Sequence, residues 1–295
     1  MDNVADGTYR LQLQVPGVSD IFSTYLIDEK QGILIEPGPA ALIPGIRKAL
    51  EQLGMKPPGY IIATHIHMDH AGGLGALSEL FPAAKILVHP AGETHIVEPS
   101  RLIQSTCRAH GDQFEKRYGA ILPVPGSRVK VVRDGETLDA GGRRLTLIYT
   151  PGHAPHHLAV FDHKVKGLYC GEGLGIPRLS PRFGFQLMPA VIPGFDADAY
   201  LDSIERMKKL KPEVLFFSHG GTGDDPDRLM SMVAENTRVL SRALLDILHE
   251  EKTPIEVRRR VREFVDSRFG LEILDLYLDM TIDGYAIYFR RKGLL

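Results

Sequence analysis

Three imidazoles and one carboxylate crowd into six residues of the string THIHMDHAGG, 64–73. They follow YIIAT (60–64), a short apolar run that reads as a strand, and lead into GGLGALSELFP (72–82), which reads as a helix ended by Pro82. That order constrains the chain strongly. A strand must end near His65, turn within a few residues, and deliver four polar side chains to one place. Side chains of an extended segment alternate with period two, so His65 and His67 point to the same side. Asp69 and His70 then project from the turn towards a second position, and Gly72 and Gly73 permit close backbone approach. Neutral imidazole is a favoured ligand for divalent transition metals. One strand end can thus feed two adjacent metal positions.

Strands and helices alternate around this string. YRLQLQV (9–15), FSTYLID (22–28) and GILIEPG (32–38) read as strands at hairpin-like spacing. Residues 39–53 read as a helix, with Leu42, Ile43, Ile46, Leu50 and Leu53 near helical spacing. KILVH (85–89) is a further strand, and helices are predicted around 99–110 and 113–118. RVKVV (128–132), RLTLIYT (144–150), HLAVFD (157–162), KGLYCGE (166–172) and EVLFFSH (213–219) are strands, and 136–147 reads as a hairpin. The segment 177–195, rich in Pro and Phe, reads as an ordered loop without regular structure. A helix is predicted over 196–209. From 226 onwards the pattern is helical, so we place a domain boundary near 222–226. The alternation indicates a layered α/β domain.

Composition narrows the function. Lys and Arg number 35 against 37 Asp and Glu, without the basic excess of a general nucleic-acid binder. No uncharged apolar run approaches the ~20 residues that cross a bilayer, and the first residues lack a signal-like apolar core. The expectation is a cytoplasmic protein with a small-molecule substrate, no nucleic acid and no membrane. With 12 His and only 2 Cys, metal chemistry here must rest on nitrogen and oxygen ligands.

The string His65-x-His67-x-Asp69-His70 resembles the signature of the metallo-β-lactamase superfamily. The resemblance covers about residues 20–221 and implies a four-layered αββα sandwich over 1–222, followed by a helical C-terminal extension, 223–295. YTPGHAPHH (149–157) resembles the family's second motif, which makes His153 the third ligand of the first metal. FFSHGG (216–221) resembles its last motif, which makes His219 a ligand of the second. Where the family usually has a bridging Asp, LYCGEGLG (168–175) offers Glu172. Its extra methylene leaves three outcomes: a bridge, binding to one metal only, or a weak second site. Glu36 in LIEPG stands where many relatives have an Asp that supports the site from behind; that role and a plain turn residue are both open.

The resemblance therefore implies His65, His67, His153, Glu172, Asp69, His70 and His219 as ligands of two divalent metal ions, with zinc favoured and iron or manganese compatible. It implies hydrolysis through a metal-bound hydroxide, which Asp69 also orients. An ester or thioester hydrolase similar to glyoxalase II is the leading expectation and a lactonase the alternative. A phosphodiesterase, an iron-dependent redox enzyme and a non-enzymatic metal-binding scaffold with a degraded second site follow. His156 and His157 either line the pocket or are plain polar residues, Cys170 reads as a packing thiol, and Phe183 and Phe185 are pocket candidates. Arg258, Arg259, Arg260 and Arg262 sit in one short helix, as a solvated face or an anion site. Val257, Val261, Phe264 and Val265 form its apolar stripe, and the apolar tail is compatible with a homodimer.

Overall fold

The structure, a computed structural model, describes residues 1–18, 21–251 and 253–295. Its contacts divide the chain into two compact units. The first comprises Met1–Tyr149, His156–Gly171 and Pro212–Asp224; the second comprises Thr150–Pro155, Glu172–Lys211 and Asp225–Leu295.

The first unit is built on two sheets. One has seven strands lying in chain order: Asp2–Ala5, Thr8–Gln14, Ile21–Ile27, Ile33–Ile35, Tyr60–Ile62, Lys85–Val88 and Val129–Val131. The first four pair antiparallel, and pairing is parallel from Ile33–Ile35 onward. Parallel neighbours need a crossover, and helices Ile43–Leu53, Leu74–Leu80, Pro90–Val97, Ser100–His110 and Phe114–Tyr118 lie in those connections. The second sheet has six strands, ordered Thr222–Gly223, Val214–Phe217, Gly167–Gly171, Leu158–Asp162, Arg144–Tyr149 and Glu136–Asp139.

Alternation along the strands explains the stacking. Leu26, Leu34, Ile61 and Ile86 enter a core with Ile46, Leu50, Leu74 and Leu77 of the helices. Their neighbours Tyr25, Ile27, Ile33, Ile35, Ile62 and Leu87 enter a second core with Leu145, Leu147, Leu158, Val160, Tyr169 and Phe216 of the six-stranded sheet. Strands buried on both faces read as continuous apolar runs, which is why GILI and YII carry no polar alternation. The hairpin expected at 136–147 is present, and its glycines serve the turn: Gly141 and Gly142 N–H both donate to Asp139 Oδ1.

The second unit holds helices Ala197–Lys208, Pro226–Glu250, Pro254–Phe269 and Asp275–Arg291. Val257, Val261, Val265 and Phe269 form the buried stripe of the third, while Phe264 is half-buried. The segment 177–195 departs from expectation: strands Ile176–Ser180 and Gly184–Met188 form a hairpin over most of its first half. A two-stranded ribbon leaves each strand a free edge, where a proline such as Pro177 is tolerated. Ser180 Oγ shapes the turn by accepting the N–H groups of Arg182 and Phe183, and Gly184 supplies the positive φ. Phe183 and Phe185 are exposed on this hairpin. Among the described residues no helix is long and apolar enough to cross a membrane.

Candidate metal centre

The strand Tyr60–Ile62 is only three residues long, so the chain leaves the sheet just before the histidines. His65 and His67 lie beside each other, edge to face, with ring centroids 4.6 Å apart. His67 then stands at the N-cap position of the one-turn helix Met68–Ala71, which carries Asp69 and His70, without a side-chain capping bond. The glycine after it is a packing requirement. Gly73 N–H donates to Gly38 O at 2.9 Å, and a Cβ on Gly73 would stand 3.0 Å from that oxygen.

Glu36 has a defined task. Its carboxylate accepts the Thr64 N–H at 3.0 Å through Oε1 and the His70 Nδ1–H through Oε2. One buried side chain thus fixes both the segment that leads into the histidine string and the orientation of the His70 ring. The backbone is bent to allow it: Glu36 sits at φ 58°, an uncommon region for a residue with a side chain. Glu36 N–H to Ile62 O and Thr24 Oγ1 to Glu36 O hold that conformation.

His219 follows strand Val214–Phe217 on the turn Ser218–Gly221. The Tyr25 hydroxyl reaches the carbonyls of Phe217, at 2.7 Å, and Gly221, at 2.9 Å, and so pins that turn from inside the core. Burial pushes the Tyr25 phenol well above its usual pKa, so it stays a donor. Phe22 lies against the His219 ring, centroids 5.4 Å apart. Nothing in FSTYLID marks Tyr25 for this task; its strand position alone was legible.

In the second unit His153 and Glu172 lie together, His153 Nε2 to Glu172 Oε2 being 2.9 Å. His153 Nδ1–H donates to Ala190 O at 2.7 Å, which places the proton of the neutral ring on Nδ1. Tyr200 donates its hydroxyl proton to Glu172 O.

Among the expected ligands, Asp69, His70 and His219, all in the first unit, bring ligand atoms within 4.8 Å of one another. Asp69 Oδ2 is 3.4 Å from His70 Nε2 and 3.6 Å from His219 Nε2. Bonds of ~2.1 Å in a tetrahedral sphere put neighbouring ligands about 3.4 Å apart, so this donor set has the spacing and the chemistry to hold a divalent metal ion.

The other candidates separate clearly. His157 is fully buried and His156 half-buried. His89 caps helix Pro90–Val97 by accepting Ala91 N–H, and desolvation lowers its pKa. Cys170 is buried, donates to Phe216 O, and has its thiol pushed well up by burial, as a packing residue should.

Comparison with known proteins agrees. The model of the metallo-β-lactamase superfamily matches residues 17–219. A metallo-β-lactamase fold-containing protein, ST1585, of Sulfurisphaera tokodaii is 33% identical over 165 residues, covering 55% of this chain and 60% of that protein. The ST1585 crystal structure, from Sulfolobus tokodaii, superposes with a TM-score of 0.67 at 25% identity, covering 95% and 98% of the two chains. An N-acyl homoserine lactonase of Bacillus cereus is 27% identical over 178 residues, 58% of this chain and 60% of its own length. A hydroxyacylglutathione hydrolase of Yersinia enterocolitica is 28% identical over 210 residues, 70% and 64%. The aligned part thus spans under two thirds of each of these three relatives. The match covers more than half of the chain, including the motif string, most strands of the two sheets and the strand end of His219, and on that ground the chain belongs to the metallo-β-lactamase superfamily.

Proposed function

We propose that the chain is a metal-dependent hydrolase of an ester or thioester carbonyl. In this reading His65, His67, His153 and Glu172 hold one divalent ion and Asp69, His70 and His219 hold a second. The convergence of the Asp69, His70 and His219 ligand atoms within the first unit carries the reading, together with the family match. Imidazole and carboxylate donors at tetrahedral spacing favour zinc. Such ions polarise a carbonyl and make water a usable nucleophile near neutral pH.

The protein's own groups do the positioning. Asp69 is the accessible carboxylate, its side chain 31% exposed; it accepts a hydrogen bond from the attacking water and aims that water at the acyl carbon. Glu36 keeps the His70 proton on Nδ1, and the Ala190 carbonyl does the same for His153, so both Nε2 atoms stay available. No Ser or Cys nucleophile is required, and the buried Cys170 thiol stays protonated. The lactonase and hydroxyacylglutathione hydrolase relatives support a carbonyl centre. A lactone is the second reading, favoured by the first of them.

The test is metal analysis of purified protein with a hydrolysis panel of aryl esters, acyl-glutathione, acyl-CoA, homoserine lactones and an aryl phosphodiester. We expect one to two equivalents of transition metal and cleavage at carbonyl centres. Less than about half an equivalent with no hydrolysis sinks the proposal. Bound metal without hydrolysis points to the scaffold reading, and cleavage of the phosphodiester alone moves the chemistry to phosphorus.

A further inference from the structure

His156 and His157 are neighbours in sequence, yet the fold gives them different places. His157 is fully buried, its ring 5.0 Å from that of His65. A Cβ on Gly171 would meet its Nε2 at 2.6 Å, so it fills a packed space. Leu158 N–H donates to Thr64 O beside it and joins the two strand ends. His156 is half-buried. Its ring lies parallel to His65 at 6.2 Å and edge-on to His67 at 5.3 Å. Its Nδ1 accepts the backbone N–H of Ile66 at 3.5 Å.

Two features follow. Among His65, His67, His70, His156 and His157, only His67 and His156 are half-buried, so with Asp69 they form the accessible side of this cluster. An acceptor role for Nδ1 also puts the proton of the neutral ring on Nε2. We propose that His156 is a further substrate-contacting residue whose Nε2–H donates a hydrogen bond to an acyl oxygen, in the substrate carbonyl or the carboxylate product. The proposal rests on the hydrolase reading above. The carbonyl oxygen gains negative charge as the acyl carbon is attacked, so a fixed donor there holds the transition state more tightly than the ground state.

The experiment compares wild type, His156→Ala and His156→Gln, each loaded with cobalt(II). It measures metal content, Tm, acetate affinity from the visible spectrum, and kcat and KM on the best ester of the panel. In His156→Ala we expect unchanged metal content and Tm, acetate affinity weakened about tenfold, and kcat/KM lowered about 10²-fold. His156→Gln, which keeps an N–H donor, should recover most of the acetate affinity. Acetate affinity in His156→Ala within about twofold of wild type overturns the proposal, since one charge-assisted hydrogen bond is worth more than that. Loss of metal or a large fall in Tm also overturns it, because His156 is then a ligand or a packing residue. If wild type binds cobalt and acetate but hydrolyses nothing, the hydrolase reading fails while the acetate comparison still decides His156. A wild type that binds no cobalt overturns both.

Discussion

Two runs of like residues stand out in this chain, and the fold treats them in opposite ways. The arginines of helix Pro254–Phe269 each find carboxylates to pair with, Arg258 and Arg262 sharing one of them. Arg258 meets Asp275 and Asp279, Arg259 meets Glu263, Arg260 meets Glu250 and Glu251, and Arg262 meets Asp275. The histidines after Tyr60–Ile62 instead turn their ligand atoms toward one another, and a buried carboxylate braces one of them from behind. On the helix each guanidinium is neutralised by acidic partners, even where i,i+4 spacing brings Arg258 and Arg262 to one face, whereas a strand end that breaks into a tight turn gathers side chains of one kind against each other. Clustering in sequence becomes a site only where the backbone converges.

If that contrast is real, the largest effect belongs to the gathered run. Asp69→Ala and His67→Ala should each lower kcat/KM on the best substrate by on the order of 10³-fold or more, because the lost groups hold and aim the reacting species. Metal content measured on the same preparations should fall below that of wild type. Near wild-type rates in both variants would mean that the centre of the chemistry lies elsewhere.

A smaller effect tests the brace. Glu36→Gln keeps one acceptor for Thr64 N–H but offers an amide N–H where His70 Nδ1–H must donate. Glu36→Asp is one methylene shorter and cannot reach both partners at once. Each should weaken binding of one metal ion by about 10–100-fold, the usual cost of losing a carboxylate behind a ligand histidine. Competition against a chelator measures it. Unchanged affinity in both variants would reduce Glu36 to a turn residue.

The sequence nominates candidate ligands because they are side chains in a compact string with its partners at later strand ends. It made the sheets legible because strands buried on both faces are unbroken apolar runs, as in YII and VLFF. What it hid was held by backbone or by long-range contact. The Ala190 carbonyl that orients His153 carries no residue-specific signal. Tyr25 reads as any strand aromatic until Phe217 and Gly221 come within reach of its hydroxyl. The hairpin of 176–188 was masked by prolines that a two-stranded ribbon tolerates.

The smallest effect is expected at the dispersed run, and it is the one that closes the contrast. Arg259 Nη1 donates to both carboxylate oxygens of Glu263 one helical turn on, at 2.9 and 3.0 Å, and both side chains are more than half exposed. Water and salt screen such a pair, and holding two long side chains in place costs entropy. Arg259→Ala should therefore shift Tm by no more than about 2 °C and leave kcat/KM within about twofold of wild type. Raising the ionic strength should erase even the small change in Tm, because exposed pairs are screened within a Debye length. A tenfold or larger loss of kcat/KM, restored by an anionic additive or not, would instead make the arginine helix an anion-binding face. The two runs would then both be functional, and convergence of the backbone would no longer separate them.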